Sequence, residues 1–157
     1  MLVAGVGNIF LGDDGFGSEV ARRLSGRIVP DGVRVTDYGI GGIHLAYDLL
    51  GEVDLLILVD TLSRGVAPGT VSLIEVGDDL DVGHMNVDSH AMDPAAVFAG
   101  VKRLGGTLPP TLVIGCEPAE VGEHIGLSPA VEAAVEPTVA QILQLLDEHM
   151  TLTPDRS

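Results

Sequence analysis

Residues 55–59 read LLILV, five aliphatic side chains in a row, and Asp60 follows them directly. A strand with one face in water alternates apolar and polar side chains. A run without polar alternates therefore fits a strand covered on both faces. Residues 2–6, LVAGV, repeat the pattern at the start of the chain. Strands of this kind belong to mostly parallel sheets with helices on each side, so these two runs predict an α/β sandwich.

The segments between the runs complete that reading. A Gly-rich loop spans 7–17, and Ser18 opens a helix with Val20, Ala21 and Leu24 on one face and Arg22 and Arg23 outside. A second strand is expected over 33–37, then a helix over 43–50 with Leu45, Leu49 and Leu50 turned inward. The central strand covers 54–60, and a fourth covers 70–76. Only about eight residues, including Pro68-Gly69, join these two, too few for a parallel crossover, so the fourth strand should run antiparallel. An acidic loop over 77–92 follows; a loop this long without regular structure is often functional. Asp93-Pro94 starts a helix with a capping carboxylate and a first-turn proline, and Val97, Phe98, Val101 and Leu104 form its inner face. A fifth strand covers 111–116. The last helix opens at Ser128-Pro129, carries Val131, Val135, Val139, Ile142 and Leu146 inward, and is expected to kink at Pro137. The 21 glycines fall between the apolar runs, with no repeat and no linker, so residues 1–157 read as one domain with a tail over 150–157.

Composition narrows the function. At 46% hydrophobic residues the chain buries enough apolar surface to exclude a disordered protein. Eight Lys and Arg against 23 Asp and Glu leave a formal charge of −15, with no basic cluster, which argues against nucleic acid. The same sign suits a cationic partner, a metal ion or simple solubility. No run approaches the length of a membrane span, and the apolar start lacks the basic flank of a signal peptide. Cys116 is the lone cysteine, so no intrachain disulfide forms. A soluble protein of a reducing cytoplasm is expected.

In parallel sheets ligands bind beyond the carboxyl ends of the strands, where the strand order reverses. Asp13 and Asp14 follow the first strand, Asp37 ends the second, and Asp60 ends the third. Four carboxylates converging there would repel one another, which points to a metal ion or bound cation among them. Asp60, closing the most buried strand, needs a partner or a ligand. His90, late in the acidic loop with Asp88 and Ser89 beside it, is a candidate nitrogen ligand. His44, His84, His124, His149 and Cys116 rank below it, the thiol as a small buried hydrophobe. There is no HExxH and no GxSxG. Gly5-Val6-Gly7 imitates a dinucleotide loop, but Phe10 stands where the third glycine belongs and Asp13-Asp14 would oppose a pyrophosphate.

The run from Gly5 to Gly17, GVGNIFLGDDGFG, resembles the opening signature of the nickel–iron hydrogenase maturation endopeptidases. Asp37 with Gly39 and Gly41-Gly42, Val59-Asp60, Asp88-Ser89-His90, Gly115-Cys116-Glu117-Pro118 and the HIGLSP run from His124 to Pro129 resemble further segments of that family, in the same order. The resemblance implies a three-layer α/β/α sandwich whose five-stranded, mostly parallel sheet has its fourth strand antiparallel. It implies one endoproteolytic cut that removes a C-terminal extension from the hydrogenase large-subunit precursor after nickel insertion. It implies Asp14, Asp60 and His90 as metal ligands, and Asp37 and Asp14 as catalytic residues. Many members carry Glu where this chain has Asp14, so the shorter arm requires the backbone to stand about one methylene closer. Two carboxylates and an imidazole form an open set suited to nickel that the substrate already holds, with no tightly bound metal in the resting enzyme. A non-enzymatic checkpoint or chaperone that binds the nickel-loaded large subunit would use the same residues.

Overall fold

The computed structural model describes residues 1–76 and 94–152. Along them run β1 (Leu2–Val6), α1 (Phe16–Ser25), β2 (Arg34–Gly39), α2 (Gly42–Asp48), β3 (Leu56–Thr61), β4 (Val71–Val76), α3 (Pro94–Arg103), β5 (Thr111–Cys116) and α4 (Pro129–Leu152). The strands form one sheet in the order β2-β1-β3-β5-β4. β1 pairs parallel with β2 and β3, and β3 with β5. β4 is antiparallel to β5, because the short 62–70 connection has no room for a crossover helix.

Alternating side chains of the two apolar runs feed opposite layers, as the strand period of two requires. Val3, Ile57, Val59, Ile114 and Cys116 pack under α1 and α4, against Val20, Leu24, Val135, Val139 and Ile142. Leu2, Ala4, Val6, Leu56, Leu58 and Val113 pack under α2 and α3, against Leu45, Leu49, Phe98 and Val101. This is the expected three-layer sandwich. From β1 the chain passes to β2 on one side and reaches β3 on the other, so the strand order reverses around β1.

Several expectations shift in detail. Helix α1 begins at Phe16, and the preceding Gly12–Gly15 segment is a 3-10 turn rather than open loop. Leu50 and Leu104 are exposed, not inward: each lies just beyond the end of its helix, where helical spacing no longer sets direction. Helix α4 continues through Pro137 as one element and reaches Leu152, so residues 150–152 of the expected tail are helical. The acidic loop 77–92, His84, Asp88, Ser89, His90, the Asp93 cap and residues 153–157 lie outside the described residues. Among the described residues no helix is long and apolar enough to cross a membrane.

Candidate active site

The close approach of α1 to the sheet sets the geometry of the rim. A Cβ on Gly17 would lie 2.3 Å from the carbonyl oxygens of both Val6 and Val59, and one on Gly5 would lie 2.2 Å from the Gly17 carbonyl. Backbone therefore meets backbone where α1 crosses β1 and β3, which only glycine permits. Gly7 continues the pattern at φ 140°, with its missing Cβ 2.0 Å from the Asp14 carbonyl and 3.9 Å from Asp60 Oδ1. The 3-10 turn is thereby pressed against the end of β3, and Asp14 is brought to Asp60.

Both carboxylates are buried, and one residue serves both. The Thr61 backbone N–H donates to Asp60 Oδ1 at 2.7 Å, and the Thr61 hydroxyl donates to Asp14 Oδ1 at 3.1 Å. The Asn8 N–H donates to Asp14 Oδ2 at 2.9 Å. Asp14 is thus oriented by both flanks of the rim despite its short arm. Sequence reasoning missed Thr61; the available signal was its place directly after Asp60, where its N–H and hydroxyl point to the same crevice.

Asp13 does not join them. Its side chain turns the other way, into the loop between β5 and α4. Oδ2 accepts the N–H groups of Ala119 and Glu120 at 2.8 and 2.9 Å and the Ser128 hydroxyl at 2.8 Å, while Oδ1 accepts the Ser128 N–H at 2.6 Å. Burial pushes its pKa up, yet the bonds from Ser128, Glu120 and Ala119 outweigh burial and hold the carboxyl below the ordinary range. The repulsion anticipated among four converging carboxylates is relieved in part by this structural use of one of them.

Asp37 is placed apart as well. Its Oδ1 accepts the Ser18 hydroxyl at 2.8 Å and the Gly39 N–H at 2.9 Å, leaving Oδ2 as the oxygen available to a water. It shares the α1 face of β2 with Val35, whereas the alternation along β3 directs Asp60 to the α2–α3 face. With β1 between their strands, the two residues stand roughly 10 Å apart along the sheet. Asp37 opens into a cavity of about 250 Å³ bordered by Ile9, Ser18, Arg22, Ile125 and Leu127.

The lesser candidates stand elsewhere or are inert. Burial, then Asp13 and Glu117, push the Cys116 thiol up to about 12, so it is a neutral packing group. His149 approaches Asp54 at 3.5 Å, among residues that precede β3. His44 is exposed, and His124 lies over Gly12 with Nε2 3.8 Å from Glu120. Among the described residues no group of three His, Cys, Asp or Glu side chains is arranged to hold a metal ion; Asp14 and Asp60 supply two donors, and His90 lies outside that range. Helix α3 must begin at the carboxyl rim, since β5 after it starts at the opposite edge, and His90 precedes Pro94 by four residues.

Known proteins resemble this chain in both sequence and fold. Residues 18–145 match the model of the HycI family, described as hydrogenase maturation protease. The chain is 34% identical over 150 residues to the hydrogenase 2 maturation protease of Escherichia coli strain K12, covering 94% of this chain and 91% of that protein. It is 32% identical over 160 residues to the hydrogenase expression/formation protein HupM of Azotobacter chroococcum, covering 99% of this chain and 76% of that protein. The solved structure of the hydrogenase maturating endopeptidase HybD from E. coli superposes with a TM-score of 0.81 at 33% identity, covering 94% of this chain and 92% of that one.

Proposed function

This chain belongs to the hydrogenase maturation protease family and is an endopeptidase, and from that premise we propose that it removes the C-terminal extension of a nickel–iron hydrogenase large-subunit precursor once nickel is in place. The observation that carries this reading is the shared Thr61 anchor, which holds the buried Asp14 and Asp60 carboxylates side by side at the carboxyl rim.

Two carboxylates are too few to retain a metal of their own, but they suit an ion that arrives with thiolate ligands from the substrate. His90 completes the set as an imidazole donor. Gripping the cargo nickel checks that it is present and orients the precursor, converting recognition into proximity at the scissile bond. The substrate chain then crosses the end of β1 toward Asp37. Here the carboxylate Oδ2 takes a proton from water as the water oxygen bonds to the scissile carbonyl carbon, and returns that proton to the amide nitrogen as the C–N bond breaks, while Ser18 and the Gly39 N–H hold Oδ1. We set the reaction in the cytoplasm, whose reducing conditions suit a chain that uses no disulfide among its own residues.

The test is incubation of the purified chain with nickel-loaded and nickel-free precursor, read by mass spectrometry. Loss of the extension from the loaded form alone is the expected result. A stable complex with no change in precursor mass would make the chain a checkpoint instead, and equal cutting of both forms would remove nickel from the recognition step.

A further inference from the structure

The cavity beside Asp37 has walls that the reading above does not use. Ile125 is 73% exposed and Ile9 is 47% exposed, and of the large apolar side chains left in solvent these two border the cavity. These side chains are presented by the backbone. Ile125 lies between two anchors: the His124 carbonyl accepts the Gly12 N–H at 2.7 Å, and the Ser128 N–H and hydroxyl are held by Asp13. Gly126, at φ 112°, supplies the turn that an ordinary residue would resist. On the opposite wall Asn8 fixes Ile9 from both sides, its Oδ1 accepting the Phe10 N–H at 2.9 Å and its carbonyl accepting the Leu11 N–H at 3.1 Å. Leu127, half-buried, lines the space between them. Arg22 at the border is already engaged by Glu19, so the opening offers little to an anion.

We infer that Ile9, Ile125 and Leu127 form a specificity subsite that receives an aliphatic side chain of the precursor next to the scissile bond. The inference rests on the assignment of Asp37 as the water-activating group. A substrate backbone laid along Asp37 must place one neighbouring side chain in this cavity, whose fixed apolar walls favour a branched or straight aliphatic group over a charged one. Burying such a side chain against them is worth at least about a tenfold gain in kcat/KM.

The experiment compares wild type, Ile125→Asp and Ile125→Leu on nickel-loaded precursor, with circular dichroism and thermal melts in parallel. Ile125→Asp is expected to lower kcat/KM about tenfold or more with an unchanged melt, while Ile125→Leu stays close to wild type. An Asp introduced at one aliphatic position flanking the cut should impair wild type equally, and Ile125→Lys should recover that altered precursor. Equal rates for wild type and Ile125→Asp would overturn the subsite while leaving the peptidase reading intact. No cleavage by wild type would overturn both.

Discussion

Thr61 shows how much a single side chain can hold at this rim. Its hydroxyl reaches Asp14 and its N–H reaches the Asp60 carboxylate, so replacing it by the near-isosteric Val removes one bond and keeps the other. A neutral donor to a buried carboxylate contributes about 1–2 kcal/mol. Thr61→Val should therefore lose about that much stability in urea melts and bind nickel-loaded precursor more weakly, while Thr61→Ser behaves like wild type. The same scale decides the cysteine. A thiol with its pKa pushed up to about 12 and no exposed surface has no thiolate to offer at neutral pH. Cys116→Ala should retain processing within about twofold, costing only the packing of one small buried group, about 1 kcal/mol. Loss of cleavage in a folded Cys116→Ala protein would reopen nucleophilic catalysis.

At the scale of elements, the decisive contacts join segments far apart in the chain. Asp13 ties the 3-10 turn before α1 to the loop before α4, across more than a hundred residues. Removing it takes the acceptor from three partly buried N–H groups and the Ser128 hydroxyl, so Asp13→Ala should cost about 3 kcal/mol. Its folded pKa lies below the unfolded value of about 4, so its stabilisation is complete above that pH and fades as pH falls through the folded value. The gap in urea stability between wild type and Asp13→Asn should accordingly narrow below about pH 4; a gap that widens on acidification would contradict the clamp. Local pattern could not have announced this contact. Read locally, Asp13 and Asp14 look alike, and only the fold separates the structural carboxylate from the one at the rim. The strands were legible because unbroken apolar runs have few other uses: β1 and β5 fall where the runs fall, and the antiparallel β4 follows from connection length alone. Helix ends were less legible, since Leu50 and Leu104 continue the apolar spacing past the last helical residue.

On the scale of the whole molecule, the proposed function divides its labour around β1, where the strand order reverses. Asp14 and Asp60 meet at the β3 side, with only Asp60 directed by strand alternation to the α2–α3 face, and Asp37 lies on the β2 side beneath α1. Placing these residues at the carboxyl ends of strands was within reach of the sequence, but which sheet face each takes depends on register, and a bulge after Asp37 sets it locally. The division makes binding and bond cleavage separable by substitution. On the proposed reading, in which Asp14 and Asp60 grip nickel, Asp14→Asn and Asp60→Asn should lose both capture of the loaded precursor and its cutting. Asp37→Asn keeps an acceptor for Ser18 and the Gly39 N–H but removes the base proposed to take a proton from water, so it should hold the loaded precursor and leave it intact. Gel filtration of each variant with precursor, followed by intact mass, reads both steps at once. An accumulating complex with uncut precursor for Asp37→Asn, beside free uncut precursor for Asp60→Asn, is the expected pair of results. Full cutting by Asp37→Asn would move water activation to the Asp14–Asp60 side of β1, because among the described residues no other carboxylate lines the cavity that Asp37 shares with the apolar walls except Glu19, which Arg22 and Arg23 already hold.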